Sequence, residues 1–158
     1  KTLTAQTDLV RQMQARTVKR HYLALALGTV ERDGNVDAPL GRHAVQRTKM
    51  AIARSGGKEA RTHYAVLERF EKSTLLECRL ETGRTHQIRV HMAAHRHPCV
   101  GDPLYGSDPT VAAHLGLTRQ WLHARQLAFT HPATREWVSF EAPYSQDLQH
   151  ALDVLRAE

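Results

Sequence analysis

The chain has 158 residues, enough for one domain around a single core, and its 41% hydrophobic and 24% charged content is ordinary for a soluble globular protein. No apolar run approaches the roughly 20 residues that a membrane-spanning helix needs. The net charge of +6 and pI of about 9.7 favour a polyanionic partner through counterion release, while the low aromatic content of 6% argues against a platform that stacks many bases and leaves one or two aromatics for a single base.

Taken in order, the pattern predicts mixed α and β structure. Residues 4–16 read as a helix capped by Thr4, with Leu9, Val10 and Met13 spaced along one side. Residues 22–30 predict a strand, and Asp33-Gly34 reads as a hairpin turn into a short partner at 36–40. Alternation around Met50 and Ile52 marks 48–54, and clearer alternation marks 60–70 and 74–81, which short turns would join as antiparallel strands. Thr85 can cap a helix over 86–96, which Pro98 prevents from continuing. Residues 100–121 read as turns with one short helical stretch, 125–130 and 136–141 as a hairpin, and 145–158 as an amphipathic helix capped by Ser145. The two cysteines, Cys78 and Cys99, lack C-x-x-C spacing and predict reduced thiols, as in a cytoplasmic protein. The fold class expected is α+β, one unit over 1–158, built on a mostly antiparallel (mixed) sheet with flanking helices.

The most informative stretch is Leu80-Glu81-Thr82-Gly83-Arg84-Thr85-His86-Gln87-Ile88-Arg89-Val90-His91, a strand, a Thr-Gly turn and a helix start loaded with cationic and hydrogen-bonding groups. With Gly101-Asp102-Pro103-Leu104-Tyr105-Gly106, Leu122-His123-Ala124, Lys19-Arg20-His21-Tyr22-Leu23-Ala24, and the basic block from Arg42 to Tyr64, it resembles the RluA-type pseudouridine synthases, nearest the branch that modifies large-subunit ribosomal RNA. The motifs stand in the family's order over nearly the whole chain. One is missing: the His-Arg-Leu-Asp-x-x-Thr-Ser-Gly run that carries the family's catalytic aspartate occurs nowhere in the sequence. The resemblance therefore predicts the C-terminal portion of a catalytic domain, without its aspartate segment or the S4-like RNA-binding domain common in this branch, and inactive by itself.

The resemblance implies an isomerase that breaks the N-glycosidic bond of a flipped uridine, turns the uracil and rejoins it through carbon, needing no cofactor and no metal. Arg89 is expected to hold the family's carboxylate ionised and, without it, to stand short of a counter-charge. Tyr22 offers a face for uracil and a hydroxyl that can move a proton, although a core tyrosine on a strand is the commoner fate. Ile88 and Leu122 are candidates for apolar walls of the base site, with plain core packing almost as good an account. Arg84, His86 and Gln87 lie where they can meet phosphate or support Arg89. Arg42, Arg47 and Lys49 fit RNA-backbone contacts or a solvated basic loop equally well. The partner implied is large-subunit ribosomal RNA, with no membrane and a monomer as the simplest state.

Two features invite other readings. Asp102, in Gly-Asp-Pro, reads as a turn residue rather than a catalytic carboxylate. His91 and His95 have a metal-binding spacing, but Met92 occupies the place where a zinc hydrolase needs glutamate, and most histidines are expected at the surface or facing RNA. A non-catalytic RNA-binding module with the same fold is the alternative from a different class.

Overall fold

The computed structural model describes residues 1–106 and 108–158. Its elements are α1 (Leu3–Gln14), β1 (Lys19–Leu27), β2 (Gly34–Asp37), β3 (Leu40–Arg42), β4 (Met50–Ile52), β5 (Arg61–Arg69), β6 (Ser73–Leu80), α2 (Gln87–Ala94), α3 (Pro109–His114), β7 (Leu122–Thr130), β8 (Trp137–Glu141) and α4 (Gln146–Ala157). A six-stranded sheet runs β2-β5-β6-β1-β7-β8 with every pair antiparallel, and β3 and β4 form a separate two-stranded arm. The α+β expectation holds.

Period-two alternation sorts the sheet's side chains between two cores. Leu23 and Leu25 of β1 and Leu75 of β6 point to one side, where they meet Val111 of α3, Leu115 just after it, and Leu148, Leu152 and Leu155 of α4. Trp121 sits in that core and donates its indole N–H to the Leu148 carbonyl at 2.9 Å, which fixes α4. Ala24, Ala26, Leu76 and Cys78 point to the other side, against Ile88 and Met92 of α2. The two alanines leave room for that helix to lie close on the central strand.

Three boundaries differ from expectation for physical reasons. Asp33-Gly34 does not fold β1 back on a neighbour: β2 pairs with β5, with Gly34 opposite Tyr64, and the Asp33 carboxylate accepts the Val66 N–H at 2.8 Å. A Cβ at Gly34 would lie 2.7 Å from the Tyr64 hydroxyl, so the glycine serves a close approach rather than a turn. β1 begins earlier, at Lys19, and ends where Gly28 turns at φ 83°. α1 is capped by Thr2, whose hydroxyl accepts the Ala5 N–H at 3.0 Å, not by Thr4. The apolar side of α1 is open, with Leu3 79%, Val10 48% and Met13 42% exposed. The helix is held instead by Gln12, whose amide donates to the Thr130 carbonyl at 2.7 Å and accepts the Thr130 N–H at 3.0 Å.

A buried polar network welds α2 to β5. His91, fully buried, donates Nε2–H to the Ala38 carbonyl at 2.9 Å, since a carbonyl only accepts. Its Nδ1 then accepts the Thr62 hydroxyl at 2.8 Å, and the Thr62 oxygen accepts from Gln87 Nε2 at 3.0 Å. Gln87 also donates to the Arg61 carbonyl at 2.9 Å and accepts from the Thr82 hydroxyl at 2.7 Å and the Arg84 N–H at 3.0 Å. His91 is thus a core residue, not a surface one.

Burial pushes the His91 imidazole below its ordinary value of 6.5. Protonation would make Nδ1 a donor facing the Thr62 hydroxyl. The unfolded chain therefore takes up this proton first as pH falls, so the contribution of His91 is complete above about pH 6.5 and is lost progressively below it. We expect the urea midpoint to drop between about pH 7.5 and about pH 5.5, before carboxylates titrate. The His91 ring resonances are expected to report a neutral tautomer across that interval. A His91 titration midpoint at or above the ordinary value contradicts this.

Candidate active site

The junction between β6 and α2 places Arg89. No side chain caps α2; His86 stands at its N-terminus in the left-handed region, φ 56° and ψ 23°, a conformation that costs a non-glycine residue about 1 kcal/mol or more. This corrects the expected Thr85 cap. The turn brings His86 Nδ1 to 2.7 Å from the Tyr105 hydroxyl. That hydroxyl also accepts the Met50 N–H at 2.9 Å. Burial, and then the charge of Arg89, lower the His86 pKa, which favours the neutral imidazole beside the tyrosine hydroxyl.

Arg89 is nearly buried, yet it is not short of a counter-charge. Its Nε and Nη2 both donate to Asp102 at 2.8 Å, a planar fork on both carboxylate oxygens. Asp102 is the turn residue expected, since its Oδ1 accepts the Leu104 N–H at 2.9 Å and the Tyr105 N–H at 3.2 Å. Its second role, as the ion partner of Arg89, went unforeseen. Burial acts to raise the Asp102 pKa, but the bonds from Arg89 and the two backbone N–H groups outweigh it and hold the carboxyl below 3.8. The pair in turn raises the Arg89 pKa, chiefly through the Asp102 hydrogen bonds. The guanidinium lies 5.1 Å from the Tyr105 ring centre, and Lys49 Nζ lies 5.7 Å from the same ring. Nη1 of Arg89 has no hydrogen-bond partner among the described residues.

The other candidates divide into three groups. Tyr22, Ile88 and Leu122 share one apolar cluster with Met92 and Cys99, with Ile88 only 3% exposed and acting as core. Tyr22, partly buried opposite Cys78 and Ala124, also walls a cleft of about 240 Å³ with Arg20, Leu127 and Phe140. Arg42 and Arg47 are exposed on the β3–β4 arm, where Arg42 donates to the Arg47 carbonyl at 3.1 Å; Lys49, at its inner end, reaches Tyr105. Gln87 is 2% exposed and its amide is filled by internal partners, so it holds the junction together and has no atom for phosphate. Arg84 leans away from Arg89, donating Nε to the Glu59 carbonyl at 2.9 Å and bordering a cleft with Arg16, Arg20 and Gly83.

Sequence reasoning missed Tyr105 as an anchor. It lies in the quoted Gly101–Gly106 run, but nothing local reveals a partner 55 positions away at Met50. Among the described residues no three His, Cys, Asp or Glu side chains gather to hold a metal ion, and no helix is long and apolar enough to cross a membrane.

Removing one partner of a buried pair leaves the other charge stranded. Asp102→Asn should therefore lower unfolding stability by about 3 kcal/mol or more, read from urea melts at neutral pH. Loss of less than about 1 kcal/mol would show that Arg89 is satisfied without Asp102.

Residues 1–94 match the family model described as RNA pseudouridylate synthase. Ribosomal large subunit pseudouridine synthase D of Nitrosomonas europaea is 56% identical over 160 residues, covering 99% of this chain and 46% of that protein. Its namesake from Neisseria meningitidis serogroup B is 52% identical over 165 residues, covering 100% of this chain and 44% of that protein. The chain spans about half the length of the curated relatives it matches. Among solved structures, Human RNA Pseudouridylate Synthase Domain Containing 4 superposes with a TM-score of 0.78 at 25% identity, covering 98% of this chain and 69% of that one. Human RNA Pseudouridylate Synthase Domain Containing 1 gives 0.76 at 27% identity, over 99% and 73%. By these matches the chain belongs to the RNA pseudouridylate synthase family.

Proposed function

We propose that this chain is the arginine- and tyrosine-bearing part of an enzyme that isomerises uridines to pseudouridine in large-subunit ribosomal RNA. The observation that carries the reading is the state of Arg89: one edge clamped by Asp102, its face against Tyr105, and Nη1 left over. A guanidinium held this rigidly can orient a second carboxylate with little reorganisation. The His-Arg-Leu-Asp motif is not among these residues, so that carboxylate comes from elsewhere. Tyr22 contributes the flat face for uracil and a hydroxyl for proton movement, and Ile88 and Leu122 belong to the apolar cluster around it. The exposed guanidiniums of Arg42 and Arg47, with Lys49, supply positive charge for the RNA backbone, while Arg84 and His86 flank the same junction. The substrate class is supported by the names of the two relatives above, ribosomal large subunit pseudouridine synthase D. The reaction is a net isomerisation and calls for no cofactor; we take the acting unit to be a monomer.

Asp102 cannot stand in for the missing group. Its side chain is fully buried, and both oxygens are occupied by Arg89 and two backbone N–H groups. This favours a second reading for the 158 residues alone, an RNA-binding module without catalysis.

Tritium release from uracil-labelled large-subunit ribosomal RNA tests both. The 158-residue chain should release none, and a longer form containing the His-Arg-Leu-Asp motif should turn over. In that form Arg89→Ala should abolish release while RNA still binds; near-normal single-turnover rates would rule out its role. Tyr22→Phe keeps the ring and loses the hydroxyl, so a wild-type rate would dismiss proton transfer. RNA binding without any release by the longer form would leave the binding module as the function.

A further inference from the structure

Arg20, second residue of β1, is half-buried on the wall between two clefts. One holds Tyr22, Ala124, Leu127 and Phe140; the other, of about 360 Å³, holds Arg16, Thr82, Gly83 and Arg84. Its Nε is enclosed with no acceptor, and no ion pair among the described residues includes it. Two nearby acids are engaged elsewhere, Glu81 with His63 at 2.5 Å and Arg61 at 3.2 Å and Glu59 with Arg16 at 2.9 Å, while Glu141, which also lines the Tyr22 cleft, forms no ion pair with Arg20. Burial lowers the Arg20 pKa; Tyr22 acts against this and the positive charge of Arg84 adds to it. The fork is nevertheless given space. A Cβ on Gly83 would stand 2.0 Å from Arg20 Nη1, so the glycine is what lets the guanidinium lie across the turn.

A desolvated cation without a partner marks a place where an anion completes the structure. The anion must match a planar fork, stay charged at neutral pH and tolerate two further arginines. A phosphodiester meets all three conditions. Arg20 and Tyr22 are two residues apart on one strand, roughly 7 Å, which suits a backbone phosphate adjoining a base held at the tyrosine.

We infer that Arg20 is a phosphate-binding residue that, with Arg16 and Arg84 around Gly83, takes one RNA backbone phosphate beside the nucleotide entering at Tyr22. The inference rests on the RNA reading above and adds a contact that reading does not contain. Fluorescence anisotropy with a labelled large-subunit ribosomal RNA stem-loop, over about 50 to 300 mM KCl, tests it on the 158-residue chain. Arg20→Gln should weaken binding about tenfold and lower the salt slope by about one. Arg20→Lys should keep the slope. Gly83→Ala, which retains every charge but displaces the fork, should weaken binding as well. The thermal midpoint of Arg20→Gln should equal or exceed that of wild type, because a stranded charge has been removed. A lower midpoint with undiminished RNA affinity would make Arg20 a purely structural residue and overturn the inference alone. Failure of the wild-type chain to bind the RNA at all would overturn the RNA reading and this inference with it.

Discussion

The Arg89–Asp102 pair organises this molecule. Two ions withdrawn from water gain little net stability from each other, because desolvation nearly cancels their attraction. What the pair supplies is position. Asp102 is itself held by the Leu104 and Tyr105 N–H groups, so the loop after α2 and the helix bearing Arg89 are fixed to one another through a single carboxylate. Tyr105 then carries the constraint outward: its ring underlies the guanidinium and its hydroxyl ties Met50 of the β3–β4 arm. Together with Leu40, which packs on Val90 of α2, this attaches the basic arm beside the arginine.

Another face of α2 is secured differently. Gln87, Thr62 and His91 satisfy one another and the backbone of β5 within the core, and a fully satisfied buried network both rigidifies and specifies a single docking. Ile88 and Met92 press between those polar contacts onto Ala24 and Ala26 of the central strand. α2 therefore cannot slide or roll without breaking either the network or the ion pair. Preorganisation of this kind suits a site whose task is to orient charge, since the protein does not rearrange as charge develops.

The buried guanidinium of Arg89 and the half-buried one of Arg20 make an instructive contrast. Arg89 has a carboxylate built for it, with Nη1 left without a hydrogen-bond partner among the described residues. Arg20 has space cleared for it by Gly83 and no partner among the described residues. The first arrangement is a scaffold, and the second is a receptor for something the protein does not contain. Arg89 follows the turn at Thr82-Gly83 by a few residues and Arg20 lies across that turn in space, and Gln87 links the turn to α2 through Thr82 and the Arg84 N–H.

Much of this was legible in the residues themselves. The alternation of β5 and β6, the end of α2 before Pro98, the terminal hairpin and helix, and the clustering of basic groups near Tyr22 and Arg89 follow from periodicities and turn chemistry that act over a few residues. The linear order of motifs also pointed to the family. What the chain order could not reveal was which group meets which across space. The hairpin suggested by Asp33-Gly34 gave way to pairing with β5, because closing a longer loop costs little more entropy while Tyr64 and Val66 offer better partners. Asp102 reads as a turn locally and becomes an ion partner only once the chain brings it back over α2. Gln87 reads as exposed and polar and becomes core for the same reason. Local composition determined the elements and the chemistry available; only the tertiary structure decided which charges are compensated, because compensation depends on distance through folded space and on exclusion of water, and neither is a property of neighbouring residues.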